Sequence, residues 1–402
     1  MISKENIFYS LRNLKQNKSR SLLTILSILV GITTIFIFVS FGLGLIAYTE
    51  ELRSSSTINK ISVQPRGVGP PGLDDTFALT ESDLESVDKT SGVLEASGVY
   101  FKPAEIKKDD VLKFVWVISY DPKKPLVIDM FNINVDKGRE LRSGDSGKVV
   151  LGYNYLFEDK IFPNGLDIND RVEIQGEDFR VVGFYEPLGN PQDDSNIYMV
   201  NDDFTELYGD DVKGYNWIIA EVDTKEIKSV IERVEDSVRK SRNLEEGKED
   251  FFVQSFEDLL EQFNQILLFI SVFVVAIALV SVLVSAINTA NTIVTSVLER
   301  VKEIGIIKSI GAKNSEVFKI FLFEAGLLGF TAGVLGVTVG FLITYTVANL
   351  LEGAGFGFLS PSYSVFLFFG LILFATITGA VSGLWPAWQA TKIKPVEALR
   401  YE

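Results

Sequence analysis

The chain has 402 residues, of which 47% are hydrophobic and 23% are charged, and its formal net charge is −15. It has no cysteine and no histidine, which excludes disulfides, thiol catalysis, thiolate metal sites and imidazole chemistry. Its apolar residues are concentrated in four stretches, at about 20–48, 263–290, 319–350 and 363–390. Each stretch reaches the roughly 20 apolar residues that are needed to cross a hydrocarbon core. The sequence therefore predicts four membrane spans, with a polar block of about 210 residues between the first and the second.

The distribution of basic residues predicts the orientation of the spans, because cytoplasmic loops carry an excess of Lys and Arg. Residues 1–20 and the loop between the second and third spans carry five each, and the C-terminal tail carries three. The loop 351–362 carries none. We therefore expect a multi-pass protein of the plasma membrane with both termini cytoplasmic. The strongly acidic block before the second span then lies outside the cell, and its charge argues against nucleic acid as a partner.

The N-terminal residues predict an amphipathic helix on the inner membrane surface. In ENIFYSLRNLKQ, one helical face carries Ile7, Phe8, Leu11 and Leu14. The apolar run that follows is too long for the h-region of a signal peptide, which is about 7–15 residues. We therefore expect an uncleaved first span.

The polar block predicts an α+β domain. Thr80 and Asp83 form a capping-box pattern at the start of a short helix, and 225–240 shows helical periodicity. DINDRVEIQGEDFRVVGFY predicts a hairpin with a Gly-containing turn. Runs with strand character occur at 99–102, 111–119, 148–151, 171–175, 179–184, 196–200 and 216–222, and ISVQP forms another.

Nothing in the polar block predicts catalysis. Its paired aspartates, such as Asp193 and Asp194, lie in turn-like stretches where Asp is favoured for local hydrogen bonds. No spacing resembles an EF-hand loop. We therefore expect no catalytic residue and no metal site, and a metal-dependent ectoenzyme is only a remote alternative.

The second span is predicted to continue outward as a helical stalk. Ser255 and Asp258 form a second capping-box pattern, and an apolar helical face runs from Phe256 into the span without a breaker. A helix over 256–290 would be about 50 Å long at 1.5 Å per residue, well beyond the membrane core. Such a rigid helix can transmit motion to the outer block.

A short charged segment, 299–321, separates the second and third spans, and the third span itself carries a glycine ladder. The ladder, spaced to share one helical face, consists of Gly326, Gly329, Gly333, Gly336 and Gly340. Bare backbone on that face predicts close packing against a second helix. Glu324, in the same span, is a costly intramembrane charge, and we interpret it as a capping or ion-pairing residue rather than a proton carrier.

These patterns together predict a membrane protein with four transmembrane α-helices and a large α+β extracytoplasmic domain inserted between the first and second spans. The predicted parts are a cytoplasmic amphipathic helix at 1–19, the first transmembrane helix at 20–48, the extracytoplasmic domain at 49–258, the stalk and second transmembrane helix at 259–290, a cytoplasmic coupling loop at 291–318, the third transmembrane helix at 319–350, a short outer loop at 351–362, the fourth transmembrane helix at 363–390 and a cytoplasmic tail at 391–402.

Several stretches resemble the permease subunits of the MacB/FtsX-like family of ABC transporters. LRNLKQNKSRSLLTILSILVGI is similar to the family's amphipathic helix and first span, and PAWQATKIKPVEALRYE to its C-terminal signature. ERVKEIGIIKSIGAKNSEVFKIFLFEAGLLGFTAGVLG resembles its second cytoplasmic loop and third span. The run KVVLGYNYLFEDKIFPNGLDINDRVEIQGEDFRVVGFY resembles the MacB-type periplasmic core domain. The resemblance covers nearly the whole chain.

The resemblance implies a mechanism and partners. In that family the permease is a dimer, formed with a second copy or a paralogue, and a separate cytoplasmic ATPase docks under the loop between the second and third spans. ATP and Mg are then bound by that ATPase, so no cofactor is expected in this chain. The coupling residues that match the family motif are Glu303, Ile304, Gly305, Ile306, Lys308, Gly311 and Ala312.

The sequence itself is consistent with a separate ATPase, since it lacks the phosphate-binding motif G-x-x-x-x-G-K-[ST]. The implied function is a non-catalytic permease that couples ATP hydrolysis to movement of the outer domain, for export or release of a substrate. Two alternatives stay open, namely an FtsX-like regulator that relays ATPase state to a cell-wall hydrolase and a permease that extracts lipoproteins. An additional outer partner, and the identity of the cargo, are left open.

Overall fold

The computed structural model describes residues 18–55, 59–66, 78–223 and 226–400. Four helices in these ranges are long and apolar enough to cross a membrane. They are α1 (Lys18–Ser55), α6 (Phe256–Glu299), α8 (Asn314–Gly353) and α9 (Val365–Thr391). The predicted amphipathic helix at 1–19 lies outside the described residues, apart from the two that begin α1.

The chain divides into two compact units, of which the first contains most of the long helices. This membrane unit comprises 1–46, 266–350 and 359–402, and the second, outer unit comprises 47–265 and 351–358. Two short helices complete the described part of the membrane unit, α7 (Val301–Ser309) and α10 (Pro395–Arg400). The long helices extend past the predicted spans, because α6 continues to Glu299 and α8 begins at Asn314.

The outer unit has an α+β fold, as predicted. Within the described residues of this unit, four shorter α-helices occur, namely α2 (Glu81–Asp88), α3 (Leu126–Met130), α4 (Asn201–Tyr208) and α5 (Ile227–Ser241). Its described strands are β1 (Lys60–Pro65), β2 (Val93–Lys108), β3 (Val111–Tyr120), β4 (Val135–Gly138), β5 (Lys148–Leu151), β6 (Arg171–Ile174), β7 (Glu177–Tyr185), β8 (Ile197–Val200), β9 (Trp217–Val222) and β10 (Phe251–Ser255).

The ten described strands form one mixed sheet in the order β10-β1-β9-β2-β3-β8-β5-β7-β4, and β6 pairs with β2 and β7. Most neighbours are antiparallel, whereas β3–β8 and β5–β7 are parallel. The predicted hairpin is confirmed as the pair β6–β7, in which Arg171 lies opposite Arg180. Its turn contains Gln175 and Gly176, both with positive φ, which Gly adopts without steric cost.

Both predicted capping boxes are confirmed. The Thr80 amide donates to Asp83 Oδ2 at 2.7 Å, and the Asp83 amide donates back to Thr80 Oγ1 at 3.4 Å. At the start of α6, the Ser255 amide donates to Asp258 Oδ2 at 2.9 Å, and the Asp258 amide donates to Ser255 Oγ at 3.0 Å. The second box fixes where the sheet ends and the long helix begins, because Ser255 is also the last residue of β10.

Two strands escaped prediction for different reasons. The strand β4 has the sequence VDKG and is mostly exposed, so it shows no alternation of apolar and polar residues. The strand β10 runs directly into α6, and the sequence predicts only the helix that starts after Ser255. Strand β2 is also much longer than the predicted run at 99–102.

A buried ion cluster stabilises the loop before β5. The Asp145 side chain is only 8% exposed, and its carboxylate accepts hydrogen bonds from Arg139 Nη1 at 2.5 Å and Lys148 Nζ at 2.6 Å. The Arg142 amide donates to it as well, at 3.0 Å. The Arg139 guanidinium, opposed in part by burial, holds the pKa of Asp145 far below its ordinary value.

We expect Asp145→Asn to destabilise the outer unit by about 2 kcal/mol at pH 7, since hydrogen bonds to a charged group are worth roughly 1.5–3 kcal/mol. A carboxyl with a depressed folded pKa contributes stability above its unfolded pKa of about 3.9 and loses it as the pH falls through the folded pKa. The difference in stability between the two proteins, measured by denaturant unfolding, should therefore begin to shrink below about pH 4 and shrink further as the pH approaches the depressed folded pKa. A stability difference that is unchanged between pH 7 and pH 3 would contradict this assignment.

Candidate functional site

The predicted coupling residues lie on a short helix and the turn after it. The helix α6 ends at Glu299, Arg300 is the N-cap residue of α7, and α8 starts at Asn314. Between α7 and α8, Gly311 has a φ of +104°, and a Cβ there would meet no atom within 4 Å. Gly311 thus permits a tight turn between two helices, in which a side chain would be strained by the backbone conformation and not by contacts.

Two of the predicted residues anchor α7 in the membrane unit. Ile304 is 3% exposed and packs in an apolar cluster with Val297, Val317 and Phe321. A Cβ at Gly305 would lie 2.6 Å from the Cβ of Ala398, which is itself buried in α10. The helix α7 is therefore held between the ends of the long helices on one side and the C-terminal helix on the other.

Lys308 also faces inward. Its Nζ donates to the carbonyl oxygens of Thr391 at 2.9 Å and Ile393 at 2.8 Å, at the C-terminus of α9. A cation there satisfies carbonyls that lack helical partners and interacts favourably with the helix dipole. The ammonium group thus ties α7 to α9, a role that the sequence did not predict.

The exposed surface at α7 combines polar side chains with two isoleucines. Ile306 is 51% exposed and Ile310 is 80% exposed, and Val396 on α10 is 78% exposed. Glu303 is exposed on the same helix and pairs with Arg300, while Ala312 is partly buried in the turn. We call Ile306, Ile310 and Val396 the apolar patch. Branched aliphatic side chains exposed around basic residues are typical of a surface that another protein covers.

Glu324 has a partner that the sequence did not identify. Its Oε2 accepts from Arg300 Nη1 at 3.1 Å, and its Oε1 accepts from Ser296 Oγ at 3.3 Å. Both charged side chains are buried, with exposures of 10% for Arg300 and 6% for Glu324. The Arg300 guanidinium also lies 5.2 Å from the centre of the Phe321 ring. Arg300 therefore links three parts of the chain, namely the end of α6, the start of α7 and the buried face of α8.

Arg300 makes a second ion pair toward solvent. Its Nε donates to Glu303 Oε2 at 3.2 Å, and the Glu303 side chain is 55% exposed. One guanidinium thus connects a carboxylate on the α7 surface with a carboxylate inside the helix bundle. A displacement of α7 changes the geometry of both pairs at once.

The glycine ladder packs against two helices rather than one. A Cβ at Gly329 would lie 2.3 Å from the Ala375 carbonyl oxygen, and a Cβ at Gly333 would lie 2.9 Å from the Cβ of Ala375, both in α9. Gly336 and Gly340 instead approach α1, at Ile32 and Phe36. Gly326 has looser surroundings, since its Cβ would be 3.8 Å from the nearest atom, in Ala380. The ladder therefore lets α8 approach α9 along one half of its length and α1 along the other.

Two family models match the chain. The model of the MacB-like periplasmic core domain matches residues 21–237, and that of the FtsX-like permease C-terminal domain matches residues 267–395. The first range contains most of α1 and every described strand of the outer unit's sheet except β10. The second range contains α6 from residue 267 onward, α8 and α9. The glycine ladder, the Arg300–Glu324 pair and α7 all fall within the second match.

Similar proteins include ABC transporter permeases from archaea and bacteria. An uncharacterised ABC transporter permease of Methanocaldococcus jannaschii is 32% identical over 400 residues, covering 98% of each chain. The macrolide export ATP-binding/permease protein MacB of Escherichia coli K12 is 29% identical over 402 residues. That match covers 97% of this chain and 60% of MacB, so this chain spans only part of MacB's length.

Two solved structures of outer domains are also similar. The periplasmic region of MacB from Actinobacillus actinomycetemcomitans aligns with 54% of this chain and 97% of its own, with a TM-score of 0.41 and 16% identity. The extracellular domain of the noncanonic ABC-type transporter YknZ aligns with 49% of this chain and 100% of its own, with a TM-score of 0.39 and 14% identity.

Proposed function

This chain belongs to the ABC transporter permeases that combine a MacB-like periplasmic core domain with an FtsX-like permease domain, and we propose that it converts ATP hydrolysis by a partner ATPase into movement of its outer domain, for export or release of a substrate. It is a multi-pass membrane protein, and members of its family work with an ABC ATPase. The observation that carries the proposal is the apolar patch on α7 and α10, backed by the buried Arg300–Glu324 pair.

The proposal assigns ATP hydrolysis to a partner ATPase. The 402 residues contain no phosphate-binding G-x-x-x-x-G-K-[ST] motif. In the partner, ATP and Mg would be held by the ATPase itself, so this chain needs neither catalytic residues nor a cofactor. In this proposal, the chain receives the conformational change of the ATPase at α7 and transmits it to the outer unit.

We place α7 and both termini in the cytoplasm and the outer unit outside the cell, with membrane lipid around the long helices. The excess of basic residues on the N-terminal segment, the α6–α8 connection and the C-terminal tail supports this orientation. A second permease copy or a paralogue would pack against the exposed apolar surface of α6. Only 11% of the residues in the most apolar 18-residue segment of this helix are buried. In the proposed pair, each permease copy would offer a docking surface to one subunit of an ATPase dimer.

The route of the movement starts at the apolar patch. A partner that moves α7 also moves Arg300, because this residue is the N-cap of α7, and Arg300 in turn pairs with Glu324. From there, α6 is continuous to Phe256, and its 44 residues correspond to about 66 Å at 1.5 Å per residue. The helix α6 begins at the capped junction with β10, so its displacement reaches the sheet directly.

We expect Ile310→Asp to abolish association with the ATPase. Ile310 is 80% exposed and makes no buried contact that folding requires, whereas a charge at the centre of an apolar interface costs several kcal/mol in binding. The measurement is co-purification of the full chain with the ATPase from co-expressing cells, followed by its ATPase rate. Phe114→Asp is the matched control, because Phe114 is 73% exposed on the outer sheet and should not affect binding.

Undiminished association of the Ile310→Asp variant would refute the docking assignment. The same conclusion would follow if association survived deletion of residues 300–314. If association is lost equally in the Phe114→Asp control, the apolar patch is not the specific site.

A further inference from the structure

The outer unit contains a cavity of about 550 Å³ that none of the coupling features uses. Its wall comes from four separate parts of the chain, namely the last turns of α1, the stretch 153–160, the loop 187–194 and the loop 352–358 after α8. Cavities of about 300–1,000 Å³ with mainly apolar walls and a few polar groups are typical small-molecule sites. The dimensions suit a ligand of moderate size.

Aromatic rings make up much of the apolar wall. The rings of Tyr48 and Phe358 have centroids 5.9 Å apart, and those of Tyr153 and Phe157 meet edge to face at 4.9 Å. The Tyr48–Phe358 contact joins α1 to the loop after α8, and the second pair lies on the short 3₁₀ helix Tyr153–Leu156 and its C-cap residue Phe157. Flat π faces attract both apolar groups and organic cations, with about 0.5–2 kcal/mol per cation–π contact.

The charged groups of the wall are mainly acidic. Three carboxylates line the cavity, those of Glu51, Asp194 and Glu352, against a single lysine, Lys160. The Lys160 Nζ donates to the Gly353 carbonyl oxygen at 3.2 Å, so its position is fixed by the loop after α8. The wall therefore offers a negative field to a ligand, with its one cation bound to a backbone group.

Asp194 is the most deeply placed of the three acids. It is 4% exposed, and its Oδ1 accepts from the Leu188 amide at 2.6 Å. Burial raises the pKa of Asp194 above its ordinary value, although the amides of Leu188 and Gly189 oppose the shift. Lys160 opposes the shift as well, yet the pKa stays raised, so a positively charged ligand would further lower the cost of ionising this carboxyl.

We propose that this cavity binds a monovalent organic ammonium ion with an aromatic or alkyl body. Its charged end lies toward Asp194 and Glu352, and its body lies between the two ring pairs. Anions are disfavoured by the carboxylates, and a neutral ligand would leave the negative charge of the wall uncompensated. The inference goes beyond the coupling function, since binding requires neither ATPase nor nucleotide.

The test uses the full chain in nanodiscs of phosphatidylcholine, with no ATPase and no ATP, and the fluorescent cation rhodamine 6G as probe. Fluorescence anisotropy should show saturable binding. Glu352→Gln removes an exposed carboxylate and Phe157→Ala removes one ring, and each should weaken binding about five- to tenfold, since tenfold corresponds to about 1.4 kcal/mol. Glu206→Gln, an exposed acid outside the cavity, is the control and should bind as the unaltered chain does.

Competition separates charge recognition from simple apolar binding. The cation benzyltrimethylammonium should displace the probe, and neutral benzyl alcohol at the same concentration should not. Equal affinities for the unaltered chain, Glu352→Gln and Phe157→Ala would overturn the proposal, as would equal displacement by both competitors. Because the assay contains no ATPase, a negative result here leaves the coupling function to its own test.

Discussion

Replacing Arg300 with methionine is expected to lower the free energy of unfolding by about 3–5 kcal/mol, because it leaves Glu324 as an uncompensated buried charge. The pair is buried on both sides, and the guanidinium also contacts the Phe321 ring. Ser296 offers Glu324 only one neutral hydrogen bond, which cannot replace a cation. Denaturant titration of the full chain in nanodiscs measures this loss of stability.

Two further variants make this prediction specific. The double variant Arg300→Met/Glu324→Leu removes both charges and should recover most of the stability, since apolar replacements of a buried pair are often neutral or stabilising. Arg53→Met breaks the exposed Arg53–Glu257 pair, whose side chains are about half exposed, and should cost no more than about 1 kcal/mol. Equal losses for Arg300→Met and Arg53→Met would contradict a buried, structural pair.

The double variant also separates stability from coupling. If the Arg300–Glu324 pair transmits the movement of α7, the double variant should fold and bind the ATPase, yet respond weakly to its nucleotide state. A double variant that is stable and fully active would show that apolar packing alone carries the movement.

Gly329→Ala is expected to destabilise the helix bundle by about 1–3 kcal/mol, the usual cost of overpacking. The new Cβ would lie 2.3 Å from the Ala375 carbonyl oxygen, so α8 and α9 would have to separate. This loss outweighs the gain of up to about 1 kcal/mol that alanine gives in a helix. Thermal unfolding of the purified variant in detergent measures the effect.

Gly326→Ala is the matched control within the same ladder. Its Cβ would be 3.8 Å from the nearest atom, an ordinary van der Waals contact, so only the gain in helix propensity remains. We therefore expect Gly326→Ala to be neutral or slightly stabilising. The packing model fails if Gly329→Ala and Gly326→Ala have the same midpoint of unfolding.

Local patterns were the most predictable part of the structure. The two capping boxes, at Thr80 and Ser255, depend on residues three positions apart, and the β6–β7 hairpin depends on a turn of two residues. The long apolar runs likewise specify membrane helices through composition alone. In each case the physical cause lies within a short stretch of sequence.

Tertiary pairings were less predictable, because they join distant stretches. The parallel pairs β3–β8 and β5–β7 leave no local signature, and the polar strand β4 has no apolar alternation to reveal it. The glycine spacing predicted a close approach of one helix, but it could not show that the ladder divides between α9 and α1. Strand order therefore came only from the structure.

The candidate site shows the same limit. The family resemblance singled out Glu303, Ile304 and Gly305 on the segment between two spans, but their different roles depend on what packs against them. Gly305 meets α10, and Lys308 binds carbonyls that lie 83 and 85 residues away along the chain. The sequence indicates a capping or ion-pairing role for Glu324 without identifying its partner. Pairing an intramembrane carboxylate with the nearest arginine in a flanking loop would have identified Arg300.

The central claim is that the nucleotide state of the ATPase changes the outer unit through segment 299–321. The chain has no cysteine, so Phe114→Cys and Tyr345→Cys, both at exposed positions, give one pair of spin labels in each labelled copy, and an excess of unlabelled copies isolates that pair. Pulsed EPR on the permease–ATPase complex, with and without trapped ATP, then measures the distance between the outer sheet and α8. We predict a shifted distance distribution on ATP trapping and no shift when Ile310→Asp is added. An unchanged distribution in a complex that binds and hydrolyses ATP would contradict the account.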